Sequence, residues 1–125
     1  MTIDQIKKVM KKYKKAWETQ NSDLILECFT KKGIYQESPL AKPYKGHIEI
    51  KNFWDREVMK NQKKIKFHLG KCYISKDGKT GFAEWKANMW RLGKVDYMVG
   101  IMLIKMKGDK ISYLNEYWNT ESKKK

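Results

Sequence analysis

The side chains that most often bind metals or attack substrates, the cysteines and histidines, are few and scattered. Cys28 and Cys72 form no C-x-x-C pair, and the chain has no Cys/His or His/Asp/Glu cluster at ligand spacing. His47 falls at the start of a predicted helix, and His68 lies in a predicted strand of mixed polarity, where a surface role is commoner than catalysis. The sequence therefore predicts reduced thiols, no disulfide framework, no metal site and no cofactor.

Basic side chains are the most abundant reactive groups. There are 28 Lys+Arg against 14 Asp+Glu, a formal charge of +14, but only Arg56 and Arg91 are arginines. Arginine grips phosphate with two hydrogen bonds, whereas lysine is a point charge that also serves as solvated surface. The lysines are spread along the chain rather than gathered in a basic stripe. We interpret them as solubilising surface that would also steer an anionic ligand, and we do not expect a nucleic-acid partner.

Two helices are predicted at the start of the chain. Apolar residues recur at helical spacing over residues 3–19, with lysines on the opposite face, and Thr2 with Gln5 makes a capping-box pattern. A second, short helix has its start signal at Ser22 or Asp23. Gly33 is predicted to end it.

The rest of the chain predicts strands around one more helix. A short strand over residues 34–37 is followed by a loop at 38–46, which holds both prolines, and by a helix from 47 to about 59. Three glycine-containing turns then divide residues 64–118 into four antiparallel strands. Five aromatic-rich strands and three helices give an α+β fold, and 13% aromatic content excludes a disordered chain.

The two faces of the predicted sheet suggest a partner. Neither face is uniformly polar, and three helices cover only one side of a strongly bent sheet, so the sequence predicts a homodimer through the other side. Residues 1–120 are predicted to form one domain, and residues 121–125 a solvated, disordered, lysine-rich tail. Since no apolar run approaches a membrane span and no secretory signal opens the chain, we expect a cytoplasmic protein without a membrane partner.

Several local segments resemble one superfamily. Residues 13–17, 23–29 and 33–35 look like its opening, residues 43–47 like the entry to its third helix, and residues 116–118 like its last strand. The chain thus resembles the SnoaL-like branch of the nuclear transport factor 2-like superfamily over residues 3–119. The resemblance implies three N-terminal helices packed in a cone against a strongly curved, mixed sheet. Isomerases, dehydratases, cyclases, epoxide hydrolases and non-catalytic binding domains all use the pocket of this fold.

A comparison with the ketosteroid isomerase pattern of that superfamily assigns roles to individual residues. The tyrosine that polarises the substrate carbonyl falls on Tyr13, and the carboxylate that shuttles the proton falls on Glu37. The acid that completes the oxyanion hole falls on Ile101 or Met102, neither of which donates a hydrogen bond. The complete steroid isomerase mechanism is therefore not expected.

The resemblance also implies a mostly aromatic pocket for a small hydrophobic molecule. We expect Glu37, Tyr13 and Glu116 to be its catalytic candidates, with the two carboxyls serving as acid and base if they lie close together. The expected ligand-binding residues are Trp17, Tyr35, Tyr44, Trp54, Trp85, Met89, Leu114 and Trp118. The chemistry would be a cofactor-independent isomerisation, dehydration or cyclisation.

Each of these roles has a structural alternative. Trp17, Trp54 and Trp85 would serve equally well as core packing. Glu37 adjoins a proline-containing loop and is otherwise a solvated strand end, while Glu116 is otherwise a structural carboxylate that binds nearby tyrosine hydroxyls. In that case the protein is a non-catalytic ligand-binding or dimeric interaction domain.

Overall fold

The computed structural model describes residues 1–124, with the side chains of residues 1–123. The elements in chain order are α1 (Ile3–Thr19), α2 (Ser22–Cys28), β1 (Phe29–Gln36), β2 (Tyr44–Lys45), α3 (Gly46–Phe53), a π-helical turn (Trp54–Val58), α4 (Met59–Asn61), β3 (Gln62–Ile74), β4 (Gly81–Arg91), β5 (Lys94–Lys107) and β6 (Lys110–Lys124). This is the expected α+β fold with N-terminal helices and a four-strand meander.

The six strands form one mixed sheet in the order β2-β1-β6-β5-β4-β3. β1 runs parallel to β6, and the other neighbours are antiparallel. The parallel pairing matters for the site because Gln36, at the end of β1, lies opposite Asn115. Glu37, directly after β1, and Glu116, the next residue of β6, are thereby brought close to each other.

α1 covers the inner face of the sheet. The capping box predicted from Thr2 and Gln5 is present, and six apolar residues of the helix are buried: Ile6, Val9, Met10, Tyr13, Ala16 and Trp17. On β4 the alternation is equally clear, since Ala83, Trp85, Ala87 and Met89 are buried between exposed or partly exposed neighbours. Apolar periodicity in the sequence therefore selects the face that encloses the core.

The prediction that Gly33 ends α2 is wrong. The helix is capped by the side chain of Asn21 and ends at Cys28, and Gly33 lies inside β1. A Cβ on Gly33 would come within 3.0 Å of the carbonyl oxygens of Thr30 and Ile111. The glycine is thus required by the close approach of β1 to β6, at an irregularity in their pairing, and not by a helix end.

The third helix continues further than the predicted residue 59. Its α-helical start, Gly46–Phe53, passes through the π-helical turn at Trp54–Val58 and reaches Asn61. The side chain of Gln20 donates hydrogen bonds of 2.6 and 2.7 Å to the carbonyl oxygens of Val58 and Gln62. These bonds tie the end of α1 to the end of this helix and the beginning of β3.

The predicted disordered tail is another difference. β6 continues past residue 120 to Lys124, because the first residues of β5 provide backbone partners for it: Lys94 lies opposite Lys124, and Tyr97 opposite Glu121. Lys125 lies outside the described residues. The four polar residues that follow Thr120 are therefore a strand, although their composition is typical of a tail.

The outer face of the sheet exposes large apolar side chains. Tyr97, Val99, Ile101 and Tyr117 are between 37% and 57% exposed, and Ile101 lies directly opposite Tyr117 on the neighbouring strand. None of the helices among residues 1–124 is long and apolar enough to span a membrane.

Candidate functional site

A cavity of about 320 Å³ opens between the helices and the inner face of the sheet. Six of the residues expected in a pocket line it: Trp17, Tyr35, Glu37, Met89, Glu116 and Trp118. Eight further residues line it that sequence reasoning missed: Ser38, Phe53, Glu57, Gln62, Arg91, Asp96, Met98 and Thr120. The cavity has aromatic walls, four carboxyl groups and one guanidinium group.

Glu116 forms the floor of the cavity. Its side chain is buried, with the residue 5% exposed, and its two oxygens accept hydrogen bonds from different tyrosines. Tyr13 Oη donates to Oε2 at 2.5 Å, and Tyr35 Oη donates to Oε1 at 3.1 Å. Burial raises the pKa of Glu116 to about 7. The tyrosine hydrogen bonds oppose this increase, and the negative charge of Glu37 adds to it.

The two tyrosines remain protonated donors. Burial and then the neighbouring carboxylate of Glu116 raise the pKa of both Tyr13 and Tyr35 well above the ordinary range. Tyr13 is completely buried, and its hydroxyl proton is directed at Glu116. The geometry thus places Tyr13 behind the floor, where it orients Glu116, and not at the cavity surface where it would polarise a substrate carbonyl.

Glu37 stands at the rim of the cavity, directly after β1. Burial raises its pKa, and the negative charge of Glu57 raises it further, while the positive charges of Arg56 and Arg91 oppose the shift. Among the described residues its carboxylate has neither a hydrogen-bond nor an ion-pair partner. The position of Glu37 is held instead through its backbone, since Trp118 Nε1 donates to its carbonyl oxygen at 2.5 Å.

Arg91 and Asp96 line one side of the cavity, and Ser122, outside the lining, bonds to Asp96, so the three residues join β4, β5 and β6. Arg91 Nε lies 2.9 Å from Asp96 Oδ2, and Ser122 Oγ donates to Asp96 Oδ1 at 2.5 Å. Burial alone would raise the pKa of Asp96, but the hydrogen bonds from Ser122 and Arg91 outweigh burial and lower it. Asp96 is therefore an ionised partner of Arg91.

The remaining expected residues lie elsewhere. Trp54 and Trp85 serve as packing: Trp54 contacts Trp17 with ring centroids 4.3 Å apart, and Trp85 stacks on Phe67 at 5.5 Å. Leu114 is completely buried in the core. Tyr44 stacks on Phe53 with ring centroids 4.6 Å apart and does not line the cavity.

The missed residues carried a signal that strand alternation could have revealed. Arg91 follows Met89 by two positions, so both side chains point to the same face of β4. Asp96 lies directly opposite Met89 on β5, and Met98 follows it by two. Glu57 and Gln62 had no comparable signal, because Glu57 lies within the π-helical turn, where the helical period changes, and Gln62 is the first residue of β3.

A comparison with known protein families identifies the family of this chain. The family model described as "SnoaL-like domain" matches residues 2–117. The chain belongs to the SnoaL-like family. None of the curated proteins compared with this SnoaL-like chain matches it significantly.

Solved structures with low sequence identity share the fold. RV0760c from Mycobacterium tuberculosis has a TM-score of 0.83 at 11% identity, covering 98% of this chain and 99% of its own. The epoxide hydrolase/cyclase-like enzyme SalBIII, described in pyran ring formation in the polyether salinomycin, has a TM-score of 0.77 at 15% identity, covering 90% and 89%. A putative polyketide cyclase from Xanthomonas campestris pv. campestris has 0.77 at 12%, covering 94% and 92%.

Proposed function

We propose that this SnoaL-like protein binds a small, mainly hydrophobic molecule in the cavity and transfers a proton on it with Glu37. One observation carries the proposal: the Glu37 carboxylate faces an aromatic-walled cavity, partly shielded from water, with no partner among the described side chains. A partly desolvated carboxylate that is free of hydrogen bonds is a stronger base than one in water. Its raised pKa agrees with that role.

Glu116 is the second group in the proposed chemistry. With a pKa of about 7, it is present in both protonation states at neutral pH, so it is able to take up or return a proton after Glu37 has moved one. Tyr13 serves as a positioning residue for Glu116. The reaction class is a cofactor-independent isomerisation, dehydration or cyclisation, and the cyclase and epoxide-hydrolase names of its structural relatives support a small organic substrate.

The base is tested with a substrate that reports proton abstraction alone. 5-Nitrobenzisoxazole loses its C3 proton to a carboxylate while its N–O bond breaks, and the product, a coloured 2-cyano-4-nitrophenolate, is followed by absorbance. We expect wild-type protein to accelerate this reaction and Glu37→Gln to reduce kcat/KM on the order of a hundredfold, since positioned bases contribute at least that much. The wild-type rate should rise with pH as Glu37 deprotonates, with a midpoint above 4.5, its ordinary pKa.

The matched control is Glu27→Gln, which removes an exposed carboxylate on α2. It should leave kcat/KM unchanged. Equal rates for wild type and Glu37→Gln would remove Glu37 as the base.

A second candidate function is a ligand-binding domain without catalysis. It is favoured because the residues expected to polarise a substrate carbonyl have no free donor. The Tyr13 hydroxyl donates to Glu116, and positions 101 and 102 carry Ile and Met. Such a domain would bind hydrophobic molecules in the cavity and leave 5-nitrobenzisoxazole unchanged.

We further propose that two copies associate through the outer face of the sheet. A groove of about 810 Å³ crosses this face between exposed apolar residues that include Val99, Ile101 and Tyr117. Light scattering should give a mass twice the 15.0 kDa of one chain. Ile101→Glu should yield monomers, whereas Ile48→Glu, at an exposed position on α3, should not. A monomeric wild-type protein would refute the dimer.

A further inference from the structure

The charge of the cavity wall is opposite to the charge of the whole protein. The formal charge of the chain is +14, and lysine supplies nearly all of its positive groups. Among the described residues that line the cavity there is no lysine. The ionisable wall residues are the carboxyls of Glu37, Glu57, Asp96 and Glu116 and the guanidinium of Arg91.

The positively charged side chain of the cavity wall is already paired with a carboxylate. Arg91 is paired with Asp96 at 2.9 Å. Glu57 lies 3.8 Å from Arg56 Nε, and the Arg56 side chain is 58% exposed to solvent. Glu116 is held by neutral tyrosines, and Glu37 has no partner among the residues described. The cavity therefore has unbalanced negative charge: the carboxylate of Glu57 disfavours the ionised form of Glu37, and that of Glu37 disfavours the ionised form of Glu116.

The other wall groups are also suited to a positive charge. Trp17, Tyr35, Phe53 and Trp118 contribute aromatic rings to the wall, and ring faces attract ammonium groups. Gln62 lines the same cavity, and its side-chain oxygen is buried without a hydrogen-bond partner among the described residues, so it is an acceptor without a donor. An N–H group on a ligand would satisfy it.

The geometry does not suit a metal ion. Among residues 1–123, no group of three or more His, Cys, Asp or Glu side chains is close enough to hold one. Carboxylates spread around an aromatic-walled cavity match a larger cation, whose charge is attached to apolar groups.

We propose that the ligand of this cavity is an organic cation: a small hydrophobic amine, protonated at neutral pH, whose ammonium group pairs with the Glu37 carboxylate while its apolar part contacts the aromatic walls. The inference rests on the proposed function, because it assigns a substrate class to the same cavity. It replaces the anionic ligand expected from the total charge. At physiological ionic strength the Debye length is about 8 Å, so the wall carboxylates act on a bound ammonium more strongly than the distant surface lysines. An ammonium beside Glu37 also lowers the pKa of that carboxyl and so keeps it ionised.

Three molecules of nearly the same shape separate charge from hydrophobicity: 2-phenylethylammonium, 2-phenylethanol and phenylacetate. Their dissociation constants for wild-type protein are measured by calorimetry at pH 7. We expect the cation to bind at least tenfold more tightly than the alcohol and the anion more weakly than both. In Glu37→Gln the preference for the cation over the alcohol should fall to threefold or less, with the affinity for the alcohol preserved. Glu27→Gln should retain the wild-type order.

The outcomes distinguish the two proposals. Equal affinity for cation and alcohol, or tightest binding of phenylacetate, would overturn the organic cation and leave a hydrophobic binding cavity intact. A preference for the cation that survives in Glu37→Gln would place the cation elsewhere on the protein and overturn the inference. Absence of binding by all three would count against both the cation and the hydrophobic cavity.

Discussion

The floor and the rim of the cavity each carry one glutamate, but they surround it differently. At the floor, Glu116 is buried and accepts hydrogen bonds from Tyr13 and Tyr35. At the rim, Glu37 is partly exposed, and its carboxylate has no partner among the described residues. Burial raises the pKa of both. The Glu116 carboxyl at the floor is therefore held by hydrogen bonds within the fold, and the Glu37 carboxyl at the rim is available to a ligand.

This difference separates structural from chemical roles more clearly than residue type does. The alternative that Glu116 binds tyrosine hydroxyls is confirmed by the two hydrogen bonds. The chemistry of Glu37 stays a prediction, but its open carboxylate is what such chemistry requires. Substitutions at the floor should therefore act on stability as well as on the second proton transfer, and substitutions at the rim mainly on ligands and on the first proton transfer.

The largest expected effect is the pH dependence that Glu116 gives to stability. Its pKa is about 7 in the folded protein and 4.5 ordinarily, so between these values the folded protein keeps a proton that the unfolded chain has released. The stability that this proton represents is fully present below about pH 4.5 and is lost as the pH rises through 7. By linkage, the loss amounts to about 3 kcal/mol.

Glu116→Gln should remove that loss. The variant's stability in urea unfolding, relative to that of wild type, should increase by about 3 kcal/mol between pH 4 and pH 8. Glu37→Gln should show a smaller change of the same sign, because the rim is partly exposed. If Glu37→Gln changed the pH profile more than Glu116→Gln, the distinction between floor and rim would be lost.

A smaller expected effect tests the two hydrogen bonds at the floor of the cavity. Tyr13→Phe and Tyr35→Phe each remove one donor from Glu116, so both should raise its pKa further and destabilise the protein at pH 8. The shorter bond from Tyr13 should cost about 2 kcal/mol and the longer one from Tyr35 about 1 kcal/mol. Urea unfolding and a carboxyl ¹³C titration of Glu116 measure the two effects.

Tyr113→Phe provides the control for these variants. Tyr113 donates at 3.0 Å to the neutral side chain of Gln36, so its loss should leave the Glu116 titration unchanged. A larger cost for Tyr35→Phe than for Tyr13→Phe would reverse the order given by the two distances.

The fold was predictable where local pattern and structure agree. α1 has a strong apolar period and a cap, and its predicted range of about residues 3 to 19 agrees with the helix Ile3–Thr19. The role of Gly33 was not predictable, because it depends on the approach of Ile111, which lies far away in the sequence. The end of β6 was missed for a similar reason: its strand form comes from pairing with β5, against its own composition.

The candidate site was predictable only in part, because side-chain pairings form only in the folded protein. The family resemblance places Glu37 and Glu116 in a pocket, and both line the cavity. It does not show that Tyr13 points its hydroxyl at Glu116, nor that Arg91 is neutralised by Asp96, because such pairings depend on side-chain directions in the folded protein. The sign of the cavity's charge could not be read from the total charge of the chain.

The hydrogen bond from Trp118 to the backbone of Glu37 has a consequence for biosynthesis. The two residues are 81 positions apart, so Glu37 leaves the ribosome long before the strand that holds it has been made. Parallel pairing of β1 with β6 likewise waits for the end of the chain. Such non-local contacts slow folding. The nascent chain must therefore carry an unpaired β1 edge until β6 arrives, and the cavity forms only after β6 has been synthesised.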